Sequence, residues 1–132
     1  LNHLDSLHPL LDSIYLETDY RYWKKSALKY FSAFPLEQHK KIFRTVLAYE
    51  EKDVIMKRDA ALGLGRLKDE ASVDLIIKVC EQESATSDFN AYFYLMALGM
   101  IKGDQAKKNL ERYKNSSVTS VRNLVTGVLE DW

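Results

Sequence analysis

The stretch RDAALGLGRLKDEASVDLI, residues 58–76, carries two glycines, Gly63 and Gly65, within an otherwise helical pattern of apolar residues. Glycine in a helix interior costs about 0.5–1 kcal/mol relative to alanine, so a pair of glycines needs a physical reason. A phosphate-binding loop would require a strand before the glycines and a Gly-Lys-Ser/Thr after them. Residues 54–62 instead have a helical pattern, and no Gly-Lys-Ser/Thr occurs in the chain. The glycines therefore indicate two helices that approach each other closely.

Helical periodicity continues on both sides of this stretch. Apolar residues recur at spacings of three and four, whereas the alternating pattern of strands is essentially absent. This periodicity predicts an all-α fold with helices over residues 3–17, 20–33, 36–50, 54–67, 70–83, 88–102, 105–114 and 118–130. The predicted starts coincide with residue types that cap helices, namely Asp19, Asp53, Asp69, Asp88, Asp104 and Ser117.

The predicted helices fall into pairs that repeat along the chain. A forward shift of about 34 residues, with one insertion at Gly103, aligns Leu64 with Leu98, Gly65 with Gly99, Lys68 with Lys102 and Asp69 with Asp104. A partial last copy aligns Arg122 with Arg58 and Gly127 with Gly63. A phosphate loop would not recur once per repeat, whereas a glycine needed for close packing would. Helix pairs at this period predict an α-solenoid, in which each pair buries its apolar face against the next.

Residues 57–81, KRDAALGLGRLKDEASVDLIIKVCE, resemble the HEAT-like repeat of the bilin-lyase type. The shared features are a basic residue opening the first helix, alanine-rich positions, Leu-Gly-x-Leu, an acidic turn and a second helix with a Leu/Ile core. The resemblance implies a right-handed, armadillo-like α-solenoid of about four helix pairs. Tetratricopeptide repeats share the period, but their Trp, Gly/Tyr and Pro positions are not filled in order here. We expect one domain over residues 1–132, with a divergent repeat at 19–53, repeats at 54–87 and 88–117, and a partial C-terminal cap at 118–132.

Composition limits the function classes that fit the chain. Lys and Arg number 19, as do Asp and Glu, so no net charge attracts the chain to nucleic acid or to an anionic membrane. Cys80 is the single cysteine, which excludes an internal disulfide framework and favours a reducing compartment. No apolar run approaches the roughly 20 residues that span a bilayer. We expect a soluble, cytoplasmic protein, although the start at Leu1 leaves open a removed leader or further domains.

Catalytic, cofactor and metal sites are not predicted. His3 and His8 are five residues apart, which places them off one another's helix face, and no His-Glu-x-x-His occurs. These two residues and His39 are interpreted as surface histidines. Cys80 lies on the apolar side of a helix, which favours a buried small residue over a reactive thiol. We therefore expect a protein that is not an enzyme.

Two features could bind a partner. The resemblance implies that the second helix of each pair lines the concave side, and there the outward residues are basic: Lys40, Lys41, Arg44, Lys78, Lys107, Lys108, Arg112 and Lys114. This basic stripe is either a solvated helix face, interrupted by Asp74, Glu81 and Glu111, or a surface for an acidic partner. The second feature is the aromatic helix 88–102, in which Tyr92 and Tyr94 lie either between neighbouring helices or at a partner surface.

The predicted function is non-catalytic protein–protein interaction, with a protein or peptide bound on the surface of the helical array. The alternative is binding of nucleic acid or of a phosphate backbone through the basic stripe. A third possibility, an accessory role in cofactor attachment, follows only from the resemblance.

Overall fold

The helices lie close to the predicted positions. The computed structural model describes residues 9–13, 15, 20–49 and 53–132, and regular structure within these residues is entirely helical. The α-helices are α1 (Arg21–Ala33), α2 (Lys40–Ala48), α3 (Val54–Arg66), α4 (Val73–Glu83), α5 (Tyr92–Ile101), α6 (Asp104–Glu111) and α7 (Thr119–Glu130). Short 3₁₀ turns lead into α2, α4 and α5, at Glu37–His39, Glu70–Ser72 and Asp88–Ala91. Residues 9–13 and 15 are also helical, and the rest of the predicted helix 3–17, with His3 and His8, lies outside the described residues. The all-α prediction is confirmed for the described residues.

Only one of the predicted capping side chains is confirmed, since the starts at Asp69 and Asp104 have no side-chain cap and Asp19 lies outside the described residues. Asp53 caps α3, because its carboxylate accepts hydrogen bonds from the backbone N–H groups of Ile55 and Met56 at 3.0 and 3.2 Å. Ahead of α5, Ser87 rather than Asp88 accepts from the next turn. A serine or threonine hydroxyl serves this purpose as well as a carboxylate. The sequence pattern therefore locates a start without identifying the capping side chain.

Helices two apart in the chain pack on each other throughout, and the chain neighbours α2–α3, α4–α5, α5–α6 and α6–α7 pack as well. The first helices of successive pairs are in contact, α1 with α3, α3 with α5 and α5 with α7, and so are α2 with α4 and α4 with α6. The first helices α1 and α3 run parallel. Lys25 meets Asp53 near the start of α1 and α3, whereas Ser32 meets Arg66 near their ends. Ser32 and Arg66, which are 34 residues apart, therefore lie at the same height on α1 and α3.

The turns that follow α3 and α5 share an unusual backbone conformation. Lys68 and Lys102, which the repeat aligns, are the only non-glycine residues with positive φ among those described, at 53° and 69°. The inserted Gly103 follows with a φ of 97°. Lys68 Nζ donates to the carbonyl of Met100 at 3.1 Å, so one turn also contacts the next repeat. The two positions that the repeat aligns thus share a positive φ, although Lys102, with a ψ of −163°, lies outside the left-handed helical region.

The glycines at the repeat positions lie where helices approach closely. A Cβ on Gly65 would lie 2.9 Å from the Cα of Ala97, in the backbone of α5. A Cβ on Gly99 would lie 2.9 Å from the side chain of Val128. The packing interpretation is therefore confirmed at both positions. Gly127 differs, since a Cβ there would meet nothing within 4 Å.

The surface interpretation of His39 is wrong, because its imidazole is fully buried. The ring stacks on Phe31, with 4.2 Å between ring centroids. Its Nδ1 accepts the backbone N–H of Leu36 at 3.0 Å, so Nε2 carries the proton and donates to Asp12 at 2.9 Å. Helical periodicity did not reveal this burial because the partner that satisfies Nε2 lies 27 residues away.

Candidate functional site

The basic stripe contains an arginine that holds the fold together. Arg44 on α2 donates from Nε and Nη2 to one carboxylate oxygen of Asp69, at 3.0 and 2.6 Å, and from Nε to Ser72 Oγ. Asp69 is buried, and Ser72 also donates to it. Burial alone would raise the pKa of Asp69, but the hydrogen bonds from Ser72 and Arg44 outweigh it and hold the pKa below its usual range. Arg44 therefore links α2 to the start of α4, and its charge is matched by a buried acid.

Two further members of the stripe are ion-paired. Lys40 lies 2.7 Å from Glu37, whose hydrogen bond raises the pKa of the ammonium group. Arg112 pairs with Glu81 between α6 and α4. Exposed pairs of this kind contribute little to stability, about 0–1 kcal/mol, but they lower the net positive charge of the surface.

The remaining lysines of the stripe lie on three separate helices. Lys41, Lys78 and Lys108 are exposed, and acidic side chains are exposed on two of these helices, at Asp74 and Glu81 on α4 and at Glu111 on α6. Lys107 is half-buried and, with Lys114, lines a shallow groove of about 310 Å³ that also contains Glu111 and Glu130. Positive and negative charges thus alternate along this face. The arrangement is that of a solvated helix surface more than of a continuous cationic groove.

The aromatic helix α5 is mostly enclosed by its neighbours. Tyr94 is fully buried, so its selection as a partner-binding residue is corrected to a core position. Burial strongly raises the pKa of its phenol, and nearby Glu83 acts in the same direction. Tyr92 is half-buried and meets Phe93 edge-on, with 5.3 Å between centroids. The physical reason is that α5 packs against α3, α4, α6 and α7, which covers more than one of its faces.

The thiol of Cys80 is buried in the core beside the phenol of Tyr113. Burial raises its pKa, and its sulfur lies 3.6 Å from the phenol oxygen of Tyr113. Burial also raises the pKa of Tyr113 to about 12, and this phenol shares a 2.9 Å hydrogen bond with Ser84. At neutral pH both groups are protonated, which is the unreactive form of a thiol.

In the described part of the chain, no three side chains of the His, Cys, Asp and Glu types come together in a way that could hold a metal ion. Across residues 9–13, 15, 20–49 and 53–132, no helix has the length and apolar character needed to cross a membrane.

A different surface, which the sequence pattern alone did not reveal, lies at the starts of the first helices. Tyr22, Ile55 and Phe89 are 63%, 55% and 57% exposed, and they precede one another by 33 and 34 residues. Tyr22 and Ile55 are the second residues of α1 and α3, and Phe89 is the second residue of the 3₁₀ turn that leads into α5, so the three share one position of the aligned sequence. We call these three residues the apolar row. The repeat alignment could have found it, had it been extended to positions outside the predicted core.

Other exposed apolar side chains border the apolar row. Trp23 contacts Tyr22 edge-on, with 5.8 Å between ring centroids, and Val54 precedes Ile55. Trp23 is 52% exposed. Single exposed apolar residues are ordinary, but a cluster that crosses several helices is typical of an interaction site.

Comparison of the chain with protein-family models, with curated proteins and with solved structures found no match.

Proposed function

We propose that the chain forms a right-handed α-solenoid of about four HEAT-like helix pairs. Three features support this arrangement: each first helix packs on the next first helix, α1 and α3 run parallel, and Ser32 and Arg66, 34 residues apart, lie at the same height. The shared positive φ of Lys68 and Lys102 adds a conformational repeat to the sequence repeat. A solenoid of this kind presents an extended surface of repeated positions.

The function we infer is non-catalytic protein–protein interaction on that surface. The observation that carries the proposal is the apolar row, since Tyr22, Ile55 and Phe89 place large apolar side chains in solvent at one position of three successive repeats. Aromatic and aliphatic side chains that become buried between proteins supply most of the binding energy of an interface.

Nucleic-acid binding through the basic stripe has less support. Arg44 and Arg112 are the arginines of that stripe, and both form ion pairs with acids of the same chain. Binding a phosphate would require these pairs to be replaced, so the electrostatic gain would be small.

The proposal is tested by replacing two members of the apolar row with threonine. Threonine is chosen because Thr119 occupies the corresponding position of α7 when Arg122 is aligned with Arg58. The double variant Ile55→Thr/Phe89→Thr and the wild-type chain are immobilised and used to capture proteins from the source cells. The matched control is Lys78→Thr/Lys108→Thr, which changes exposed residues on the second helices. We expect one or more proteins to be retained by wild type and by the control and lost with the double variant. Capture that is the same for all three proteins, or lost only with the control, would count against the apolar row.

A further inference from the structure

We propose that the protein binds an internal water molecule between α3, α4 and α5, where the water joins the phenol of Tyr94 to the side chains of Glu83 and Arg58. The site lies in the buried seam between two helix pairs, so it is independent of any partner on the exposed surface. Three polar atoms form it: the hydroxyl oxygen of Tyr94, Oε1 of Glu83 and Nε of Arg58.

These three atoms are enclosed by protein. Tyr94 is fully buried, and although Glu83 and Arg58 are only half-buried as residues, Oε1 and Nε are shielded from solvent. None of the three forms a hydrogen bond within the described part of the chain. A buried polar atom without a hydrogen bond is strongly unfavourable, and folded proteins almost always supply a partner for it. Each of these atoms therefore needs a ligand from outside the chain.

Contacts between helices bring the three side chains together. Lys57 on α3 lies 3.5 Å from Oε1 of Glu83 on α4, and Arg58, the next residue, lies over the ring of Phe93 on α5 at 5.4 Å. Tyr94 follows Phe93 in the chain. Burial is the main cause that raises the pKa of its phenol, the charge of Glu83 adds to the rise, and the charge of Arg58 opposes it. The three polar atoms thus share one small region of the core.

The other contacts of Glu83 and Arg58 leave these atoms unsatisfied. At 3.5 Å, the ammonium nitrogen of Lys57 is farther from Oε1 of Glu83 than the roughly 2.7–3.2 Å of a protein hydrogen bond. The contact of Arg58 with Phe93 is made with a ring face, and it gives the Nε–H group no acceptor. Both charged groups are therefore balanced in charge or stacked while one hydrogen-bonding site on each stays open.

The chemistry of the three atoms identifies the ligand. Oε1 of a carboxylate only accepts hydrogen bonds, Nε–H of a guanidinium only donates them, and a phenol does both. Arg58 would repel a bound cation, and Glu83 would repel a bound anion. A water molecule can donate to Glu83 while it accepts from Arg58 and from the hydroxyl of Tyr94. Three hydrogen bonds of this kind are typical of buried water in proteins.

The bound water accounts for a tyrosine at a fully buried position of α5. Phenylalanine would fill the same space without a buried hydroxyl group, so the hydroxyl of Tyr94 needs a favourable interaction to offset its removal from solvent. Through the water, this hydroxyl connects α5 to α3 and α4, which form the preceding helix pair. The water is thus part of the packing between successive pairs.

The test is a crystal structure of the full chain at a resolution that shows ordered waters. We expect one density peak within about 2.5–3.2 Å of the Tyr94 hydroxyl, Oε1 of Glu83 and Nε of Arg58. Tyr94→Phe should lose this peak and should lower the Tm by several degrees, because a satisfied hydroxyl is removed. Tyr113→Phe is the matched control, since the Tyr113 hydroxyl shares a 2.9 Å hydrogen bond with Ser84. That variant should keep the peak.

Three results would overturn the inference. A direct hydrogen bond between Tyr94 and Glu83 in the wild-type crystal, with no density peak beside them, would replace the water with a contact of the chain itself. A Tyr94→Phe variant more stable than wild type would show that the hydroxyl is buried without a partner, and thermal unfolding measures this without a crystal. A water that remained in place in Tyr94→Phe would be bound by Glu83 and Arg58 alone, so Tyr94 would not be its ligand. The wild-type crystal decides the first point even if Tyr94→Phe fails to fold.

Discussion

The substitution Gly65→Ala tests the packing of α3 on α5 with the smallest possible change. The new Cβ would lie 2.9 Å from the Cα of Ala97 and 3.2 Å from its Cβ and carbonyl oxygen. Carbon atoms in favourable contact are about 3.5–4.0 Å apart, so the shortest of these distances falls below that range by roughly 0.6–1.1 Å. The atoms that are approached belong mainly to the backbone, which cannot rotate away. The two helices must therefore separate.

Overpacking of this kind costs about 1–3 kcal/mol. Alanine in a helix interior recovers about 0.5–1 kcal/mol relative to glycine, so we expect a net destabilisation of up to about 2.5 kcal/mol. Gly127→Ala is the matched control, because the same substitution in α7 places a Cβ in open space. That variant should be stabilised by about 0.5–1 kcal/mol. The two variants differ only in what the new methyl group meets.

The free energy of unfolding is measured by urea denaturation followed by circular dichroism, with thermal unfolding as a second assay. For a domain of this size, 1 kcal/mol corresponds to roughly 3–6 °C in Tm. Gly65→Ala should unfold at lower temperature than wild type, and Gly127→Ala at higher temperature. If Gly65→Ala were as stable as Gly127→Ala, the close approach of α3 and α5 would be refuted, along with the explanation of the glycine repeat. Gly99→Ala should cost less than Gly65→Ala, because the Val128 side chain that it meets can move.

Buried and capping groups give three further predictions. Asp69→Asn should destabilise the chain by about 1–3 kcal/mol at neutral pH, because it weakens the hydrogen bonds from Arg44 and Ser72. The pKa of Asp69 is lowered in the folded chain, so this difference should be present above about pH 4 and should shrink as the pH falls through the folded pKa. Urea titrations of both proteins at several pH values measure it. Asp53→Ala should cost about 1–2 kcal/mol through loss of the α3 cap, measured by thermal unfolding with Asp53→Ser as a control that keeps a capping oxygen. Cys80 should react slowly with a thiol reagent in the native chain and rapidly in urea, and fast modification of the native chain would contradict its burial.

The features that could be predicted from the sequence are those set by residues close together in the chain, above all the helix bounds. Helix bounds agreed within a few residues because apolar spacing and capping residues act over one or two turns. The packing of Gly65 was also predictable, because the repeat brings the same residue type to the same position at Gly99. The short 3₁₀ entries into α2, α4 and α5 could not be distinguished from the helices that follow them, since their residues have the same spacing.

Contacts between residues far apart in the chain could not be predicted in this way. Arg44 was predicted to be part of an exposed stripe because it lies on the polar face of α2. Its guanidinium instead donates to Asp69, which is 25 residues further along the chain. The apolar character of α5 on several sides allowed a surface role for Tyr94, and only the position of the neighbouring helices shows that it is enclosed. In both cases the deciding contact is formed by a neighbouring helix pair, the following one for Arg44 and the preceding one for Tyr94, whose orientation the single-helix pattern does not contain.

The apolar row is not required by the fold, and this separates it from the buried positions. The alignment of Arg58 with Arg122 places Thr119 at the position of Ile55 in the last repeat, and Thr119 is exposed. A polar residue is therefore accepted at this position of a first helix. Surface substitutions away from special contacts change stability by about 0.5 kcal/mol or less, so Ile55→Thr should leave the unfolding free energy nearly unchanged. An unchanged unfolding free energy would support the proposal that Ile55 serves binding, whereas a loss of more than about 1 kcal/mol would assign it a structural role.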